Sequence, residues 1–295
     1  MPEGGITPTA ISDADQGVWQ QGGHLTRPLY TEARMSTSAR RRWAGDYLYL
    51  FQNLLLKDFR VRYRAMSLGV LWSLINPLVM MAVLTFVFGR VFGGDRPPLF
   101  PVFVLCGLVP YNFFTLAFLS GTLSIVENAP LVKRVPLPRE IVPVVAVLSH
   151  VVHLLIQIAL LIAFVLAFGL RPSAAWMWLP VVWVFYIVFI CGLSLGASAL
   201  NVYIRDTRYL VESFNMILFY LVPIFYSFSI IPARYARVYQ FNPVAAMVLA
   251  TRNILLDGKA PPMSLVSNLM VAAAFTTGLG LLIFAQLKAR FYEHI

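Results

Sequence analysis

The chain has 295 residues, of which 59% are hydrophobic and 12% charged, with a formal net charge of +10 at pH 7. That is roughly half the charged fraction of an ordinary soluble protein, which excludes a water-soluble globule and points to the lipid bilayer as solvent. The two cysteines, Cys106 and Cys191, each sit in an apolar run and provide neither a disulfide framework nor a metal-ligand spacing.

Residues 1–42 are rich in Gly, Thr, Ser and Gln and end on Arg40, Arg41 and Arg42. They lack the apolar core of a signal peptide and read as a flexible cytoplasmic tail. From 43 to 66, Ala44, Leu48, Phe51, Leu55, Phe59 and Tyr63 recur at three- and four-residue steps, while Asp46, Asn53, Lys57, Arg60 and Arg64 take the opposite side. This pattern predicts an amphipathic helix along the membrane interface, serving either as a docking element or as an orientation signal with snorkelling arginines.

Residues 67–295 hold six apolar blocks, at 68–89, 101–124, 141–169, 176–202, 211–231 and 264–286. A helix needs about 20 apolar residues to cross a hydrocarbon core, and no alternating polar lumen pattern suggests a barrel. The expectation is an all-α, multi-pass membrane domain. Of the 23 Lys and Arg residues, 16 fall in the two terminal segments and the connections that share their side, against 7 on the other. That excess predicts a plasma-membrane protein with both ends in the cytoplasm.

Two connections are unusual. The stretch "VENAPLVKRVPLPREIVP" at 126–143 contains four prolines, so it cannot be one long helix, yet it sets Leu131 and Val132 beside Lys133 and Arg134. A protein-contact surface and a simple turn both fit it. The segment 232–263 includes "FNPVAAMVLATRNILLDGKAPP", too apolar for a free loop and too interrupted, by Pro243 and Asp257-Gly258, to span. Short re-entrant or surface helices at the outer mouth, or a space-filling lid, are expected there.

Chemistry is sparse. Five of the six blocks lack Asp and Glu, and Glu212 sits at the start of the other, which counts against an ion-coupled carrier. A membrane glycosyltransferase or polymerase would need a carboxylate-bearing external loop, for which Asp95 and Asp257 are the candidates. His150 and His153 share a face but read as buried, hydrogen-bonded histidines. Neither a catalytic nor a metal-ligating residue is assigned, and no cofactor is expected in this chain. No GxxxxGK[ST] loop occurs, so any ATP-derived energy must come from a partner.

The blocks are instead rich in aromatics: Trp72, Phe86 and Phe88, then Tyr111, Phe113 and Phe114, then Phe214, Phe219, Phe225, Tyr226 and Phe228. On one continuous helical wheel Phe214, Phe225 and Phe228 cluster on one side, with Asn215, Phe219 and Tyr226 adjacent. Individually such residues suit packing or lipid contact; as a set they offer flat faces for sugar rings.

The stretch "RYRAMSLGVLWSLINPL" closely resembles the start of the first span in type-2 ABC exporter permeases for polysaccharides, which include O-antigen, teichoic-acid and actinobacterial galactan exporters. Further stretches match in order: "GLVPYNFF" (107–114), "ENAPLVKRVPLPREIVP" (127–143), "NVYIRDTRYLVE" (201–212), "FYLVPIFYSFSIIP" (219–232) and "NPVAAMVLATRNILLDG" (242–258). The resemblance spans residues 43–295. It implies a homodimer of six-span subunits, with two copies of a separate cytoplasmic ATPase that binds ATP and Mg, moving a lipid-linked polysaccharide; nucleic acid is not an expected partner. A drug or small-lipid exporter of the same fold is the nearest alternative.

Carried onto this sequence, the resemblance implies ATPase coupling through Phe51, Leu55, Glu127, Asn128, Leu131, Val132, Lys133 and Arg134. It implies a substrate path along Trp72, Phe86, Tyr111, Phe114, Phe214, Phe219, Phe225 and Tyr226, and an external gate including Tyr235, Tyr239, Phe241, Asn242 and Arg252. Arg60, Arg62 and Arg64 would meet a lipid pyrophosphate at the inner headgroup level, since guanidinium groups suit phosphate oxygens. Leu137 and Tyr111 depart from the aromatic and the Trp that many relatives carry at those positions.

Overall fold

The computed structural model describes residues 47–63, 72–91, 97–134, 137–232, 234, 239 and 241–291, with backbone alone at 47, 48, 58–63, 72, 90, 229 and 290. The expected tail, residues 1–42, lies outside the described residues, as do Arg64 and Tyr235 and the side chains of Arg60, Arg62 and Trp72. The elements below belong to the unit Trp43–Ile295.

Every regular element described is helical. Helix α1 (Tyr47–Tyr63) is followed by α2 (Trp72–Phe86), which widens into a π turn at Val87–Val91. Then come α3 (Phe100–Glu127), the short α4 (Ala129–Arg134), α5 (Ile141–Ser149) and α6 (Val151–Ala167). After a 3-10 turn at Ala174–Met177 the chain forms α7 (Trp178–Tyr203), α8 (Thr207–Leu221), α9 (Pro243–Leu255) and α10 (Met263–Leu287). Among the described residues, four stretches are long and apolar enough to cross a membrane: Phe100–Glu127, Ile141–Ala167, Ala174–Tyr203 and Met263–Leu287. The protein is therefore a multi-pass helical membrane protein, and these four coincide with expected blocks.

Two blocks are not single long helices. The block 211–231 ends as a helix at Leu221, because Pro223 forces Val222 into extended backbone (φ −86°, ψ 135°) and removes the next amide donor. The block 141–169 is divided at His150, beside Ser149, whose hydroxyl donates to the Ala146 carbonyl at 2.8 Å, a back-bond that bends helices.

Helix α3 is the central post. It is apolar all round and buried along most of its length, the signature of a helix enclosed by others, and it touches α2, α5, α6, α7, α8 and α9. Its 28 residues span about 42 Å at 1.5 Å rise. Helices α7 and α10 cross at glycines: a Cβ on Gly280 would lie 2.1 Å from the Gly192 carbonyl oxygen. Without a hydrophobic drive between helices in lipid, such backbone contact is what holds a pair together. Thr276 adds a hydrogen bond from its hydroxyl to the Phe189 carbonyl at 3.2 Å.

The segment expected at the outer mouth contains a helix packed into the interior. In α9, Ala245, Ala246, Met247, Val248, Ala250 and Ile254 are fully buried, against α3, α7 and α10. Asn242 starts it by accepting the Val244 amide at 3.0 Å, with Pro243 at the first helical position, where its missing N–H costs nothing.

At the far end of α3 from α9, a second apolar cluster joins Ile125, Val132, Leu137, Val142, Val202, Phe284 and Phe291. Tyr203 donates to the Leu287 carbonyl at 2.7 Å, Arg139 to the Lys288 carbonyl at 2.6 Å, and Lys288 pairs with Glu140 at 2.6 Å. The stretch after α10 is thus tied to the connection between α4 and α5.

Candidate functional site

Three cavities lined by described residues open beside α3 and use it as a ruler. At its C-terminal end a groove of about 550 Å³ runs between α1 and the turn into α4. Leu50, Asn53, Leu54 and Lys57 supply one wall, and Glu127, Asn128, Pro130, Leu131 and Arg134 the other. The walls are joined by a hydrogen bond from Lys57 Nζ to Asn128 Oδ1, while the Asn128 amide donates to the Ser124 carbonyl at 2.8 Å and fixes the turn. Polar rims around apolar Leu50, Leu54 and Leu131 make a surface suited to a protein partner.

Of the residues expected to couple to an ATPase, Glu127, Asn128, Leu131 and Arg134 line this groove. Val132 faces inward at 2% exposure, and Lys133 projects beside it. Phe51 and Leu55 are half-buried and do not line the groove. The buried position on α1 is Leu54, one step round from the expected stripe, and Leu50 packs against the second cluster. Nearby, Arg208 pairs with Glu212 at 2.9 Å, one helical turn along α8.

At mid-height, between α8 and the pair α3 and α7, lies an apolar cavity of about 490 Å³ lined by Phe114, Phe118, Phe189, Phe214, Leu218 and Val244 among others. Above it is an aromatic cluster. The Phe88 and Phe225 rings stack at 4.9 Å, Phe225 lies 5.8 Å from Phe219, and Phe219 meets Tyr111 edge-on at 5.3 Å. Tyr226 packs against Phe225 at 5.3 Å, and the Tyr111 hydroxyl donates to the Asn215 carbonyl at 2.6 Å, tying α3 to α8.

The expected aromatic set is therefore divided. Tyr111, Phe219, Phe225 and Tyr226 come together, Phe114 and Phe214 line the separate apolar cavity, and Phe86 is 62% exposed away from both. The single wheel through Phe228 does not hold, because helix α8 has ended before Phe225. Phe88 takes the inward place given to Phe86: two residues apart on a helix lie about 200° round, so with Phe86 turned outward Phe88 meets the cluster.

At the N-terminal end of α3 a third cavity, about 290 Å³, lies between Pro97–Leu99, Phe103, Ser227–Phe228 and α9. Arg252 is buried there at 5% exposure. Its Nη2 donates to the Ile224 carbonyl at 2.7 Å and the Phe103 carbonyl at 3.3 Å, and the guanidinium lies 3.4 Å from the centroid of the Phe103 ring. Of the other expected gate residues, Tyr239 is half-buried, Phe241 is 70% exposed and Asn242 is the α9 cap. His153 and Gln157 share a hydrogen bond of 3.0 Å, and Gln157 donates to the Ser73 carbonyl at 3.2 Å, so this polar spot ties α6 to α2.

Residues 49–256 match the profile of the family described as ABC-2 type transporter. Over 249 residues the chain is 33% identical to an O-antigen export system permease protein RfbA of Klebsiella pneumoniae, covering 83% of this chain and 95% of that protein. A Myxococcus xanthus protein of the same name is 26% identical over 220 residues, 72% and 84% of the two chains. The polysialic acid transport protein KpsM of Escherichia coli is 23% identical over 207 residues, 70% and 80%. Apart from Asp257, every residue lining the three cavities falls inside the family-matched stretch.

Proposed function

This chain belongs to the ABC-2 type transporter family, and on that premise we propose that it is the membrane permease subunit of an ATP-driven exporter of a cell-surface polysaccharide. The observation that carries the reading is the match to permeases named for O-antigen export across 95% of their length. The subunit works as a homodimer with two copies of a separate ATPase, which binds ATP and Mg, and moves a lipid-linked glycan outward across a bacterial plasma membrane. Helix α2 and the pair formed by α8 and residues 222–232 complete six crossings, with both ends in the cytoplasm.

On this reading the groove between α1 and α4 receives the ATPase, and Arg60, Arg62 and Arg64 meet the pyrophosphate of the carrier lipid. The aromatic cluster of Tyr111, Phe219, Phe225 and Tyr226 gives the glycan flat, weakly binding surfaces on which to slide, and α9 with the residues before it gates release.

Deleting the gene in its host is expected to strip the exported polysaccharide from the cell surface and leave lipid-linked glycan inside. Unchanged surface glycan would overturn the reading, and altered drug resistance in its place would favour a small-molecule exporter. Leu131→Asp with Arg134→Glu should reduce co-purification of the ATPase about ten-fold, by setting charge against an apolar contact and reversing a rim charge. Undiminished co-purification would remove the groove from the account. The triple alanine variant of Phe219, Phe225 and Tyr226 should keep the ATPase bound yet lower export about ten-fold, since it removes three of the four flat faces on which the glycan would rest. Export at the unaltered rate would refute the stacking role.

A further inference from the structure

The cavity at the N-terminal end of α3 differs in chemistry from the apolar one at mid-height. Its wall holds a buried cation, a carboxylate, an amide and a hydroxyl, from Arg252, Asp257, Asn253 and Ser227, beside the rings of Phe103 and Phe228. The mid-height cavity is lined almost wholly by Phe, Leu and Val.

Arg252 is the informative member. A guanidinium has five N–H donors, and Nε and Nη2 are spent on the Phe103 and Ile224 carbonyls. Nη1 is buried and has no hydrogen-bond partner among the described residues. Leaving such a donor dry is costly, so an oxygen that the described residues do not supply belongs against it. The backbone shows strain at the same wall: Leu99 (φ 56°, ψ 44°) is the one residue other than glycine with positive φ among those described. Non-glycine residues held in that region cost free energy and cluster at binding sites.

The chemistry discriminates between ligands. A phosphate offers acceptors only and would be repelled by Asp257, whereas a hydroxyl both donates and accepts, and so satisfies Asp257 and Arg252 together. The volume of about 290 Å³ lies at the lower limit of small-molecule sites, room for one ring and not for an oligosaccharide.

We propose that this cavity is a subsite for one uncharged pyranose unit of the glycan. Its hydroxyls bridge Arg252 Nη1 and the Asp257 carboxylate, with Asn253 beside them and its apolar face against the ring-lined wall. The subsite lies about 42 Å along α3 from the groove proposed to receive the ATPase, so it contacts the chain after the crossing, as it leaves. This inference rests on the export reading above.

The test uses the full-length permease in detergent with three probes, the methyl glycosides of galactose, mannose and glucose, followed by saturation-transfer NMR, with inorganic pyrophosphate as competitor. At least one glycoside is expected to bind with roughly millimolar affinity, pyrophosphate is expected not to displace it, and Asn253→Ala with Asp257→Asn should weaken binding about ten-fold. Thermal stability of the double variant confirms that it is folded. The proposal is overturned if none of the three binds, if pyrophosphate competes, or if the double variant binds as well as the parent. In cells, a double variant that exports glycan at the parental rate and chain length removes the subsite and leaves the export reading standing. A parent protein that exports no glycan removes the export reading itself.

Discussion

Gly280→Ala is expected to leave almost no folded protein. The new methyl would sit 2.1 Å from the Gly192 carbonyl oxygen, 3.1 Å from its carbon and 3.2 Å from Leu195 Cβ, and the nearest of these is backbone that cannot rotate aside. On the opposing helix a Cβ at Gly192 would lie 2.4 Å from the Thr277 amide nitrogen, so the contact is tight from both sides. Overpacking a core that can yield costs about 1–3 kcal/mol; moving two long helices apart costs more, against a total stability of about 5–15 kcal/mol. The measurement is size-exclusion chromatography of detergent-extracted protein, where the monodisperse peak should vanish. Gly278→Ala is the internal control, because nothing lies within 4 Å of the added methyl, and it should elute like the parent. A normal peak for Gly280→Ala would mean the helices do not cross here as described.

Arg252→Met should be the second most damaging change. The substitution keeps much of the side chain's bulk but removes the donor that serves the Ile224 carbonyl, at about 1–3 kcal/mol for a buried acceptor left unsatisfied, and the extra donors to the Phe103 carbonyl, which already accepts within α3. It also removes a desolvated cation from the Phe103 ring, worth about 2 kcal/mol. A loss of about 3–5 kcal/mol is expected, read as a large fall in the thermal transition of the purified protein. The site of damage is specific: Ile224 lies just past Pro223, where the chain has lost its own helical hydrogen bonds, and Arg252 supplies the missing donor from α9. A transition unchanged from the parent would show that the guanidinium is not what secures this break.

Much of the fold can be read from the sequence because apolar length is a strong local signal. The runs giving α3, α7 and α10 are long and uncharged, and a helix is the obvious way to satisfy their backbone in lipid. The interruptions are less legible. Asn242-Pro243 and Asp257-Gly258 correctly bracket α9, yet nothing in its composition separates a helix lying on the surface from one driven into the core. Whether its small residues Ala245, Ala246 and Ala250 meet lipid or α3 depends on partners distant in the chain.

The cavities are legible only in part, for the same reason. Glu127 to Arg134 stands out through its prolines and charges, but its bond to Lys57 joins residues 71 apart, and no pattern within α1 marks Leu54 over Leu55. The aromatic positions go astray where one continuous helix is assumed, because Pro223 resets the phase before Phe225, and nothing local in the sequence says which of the opposed Phe86 and Phe88 faces inward. Arg252 could be picked out as a lone charge in an apolar stretch, but its two carbonyl partners could not, because backbone acceptors carry no residue signature.

Phe291 has no exposed surface, is edge-on to Phe284 at 5.4 Å and lies beneath Arg139 at 5.8 Å. The last described turn is therefore a plug and not a trailing end, which decides where the protein can be handled. An affinity tag or fluorescent fusion joined well beyond Phe291 leaves that ring seated, whereas trimming back to Leu287 would unstopper the cluster and loosen the loop before α5. Shortening the chain to before Phe291 would thus weaken the protein on the same side as the groove between α1 and α4.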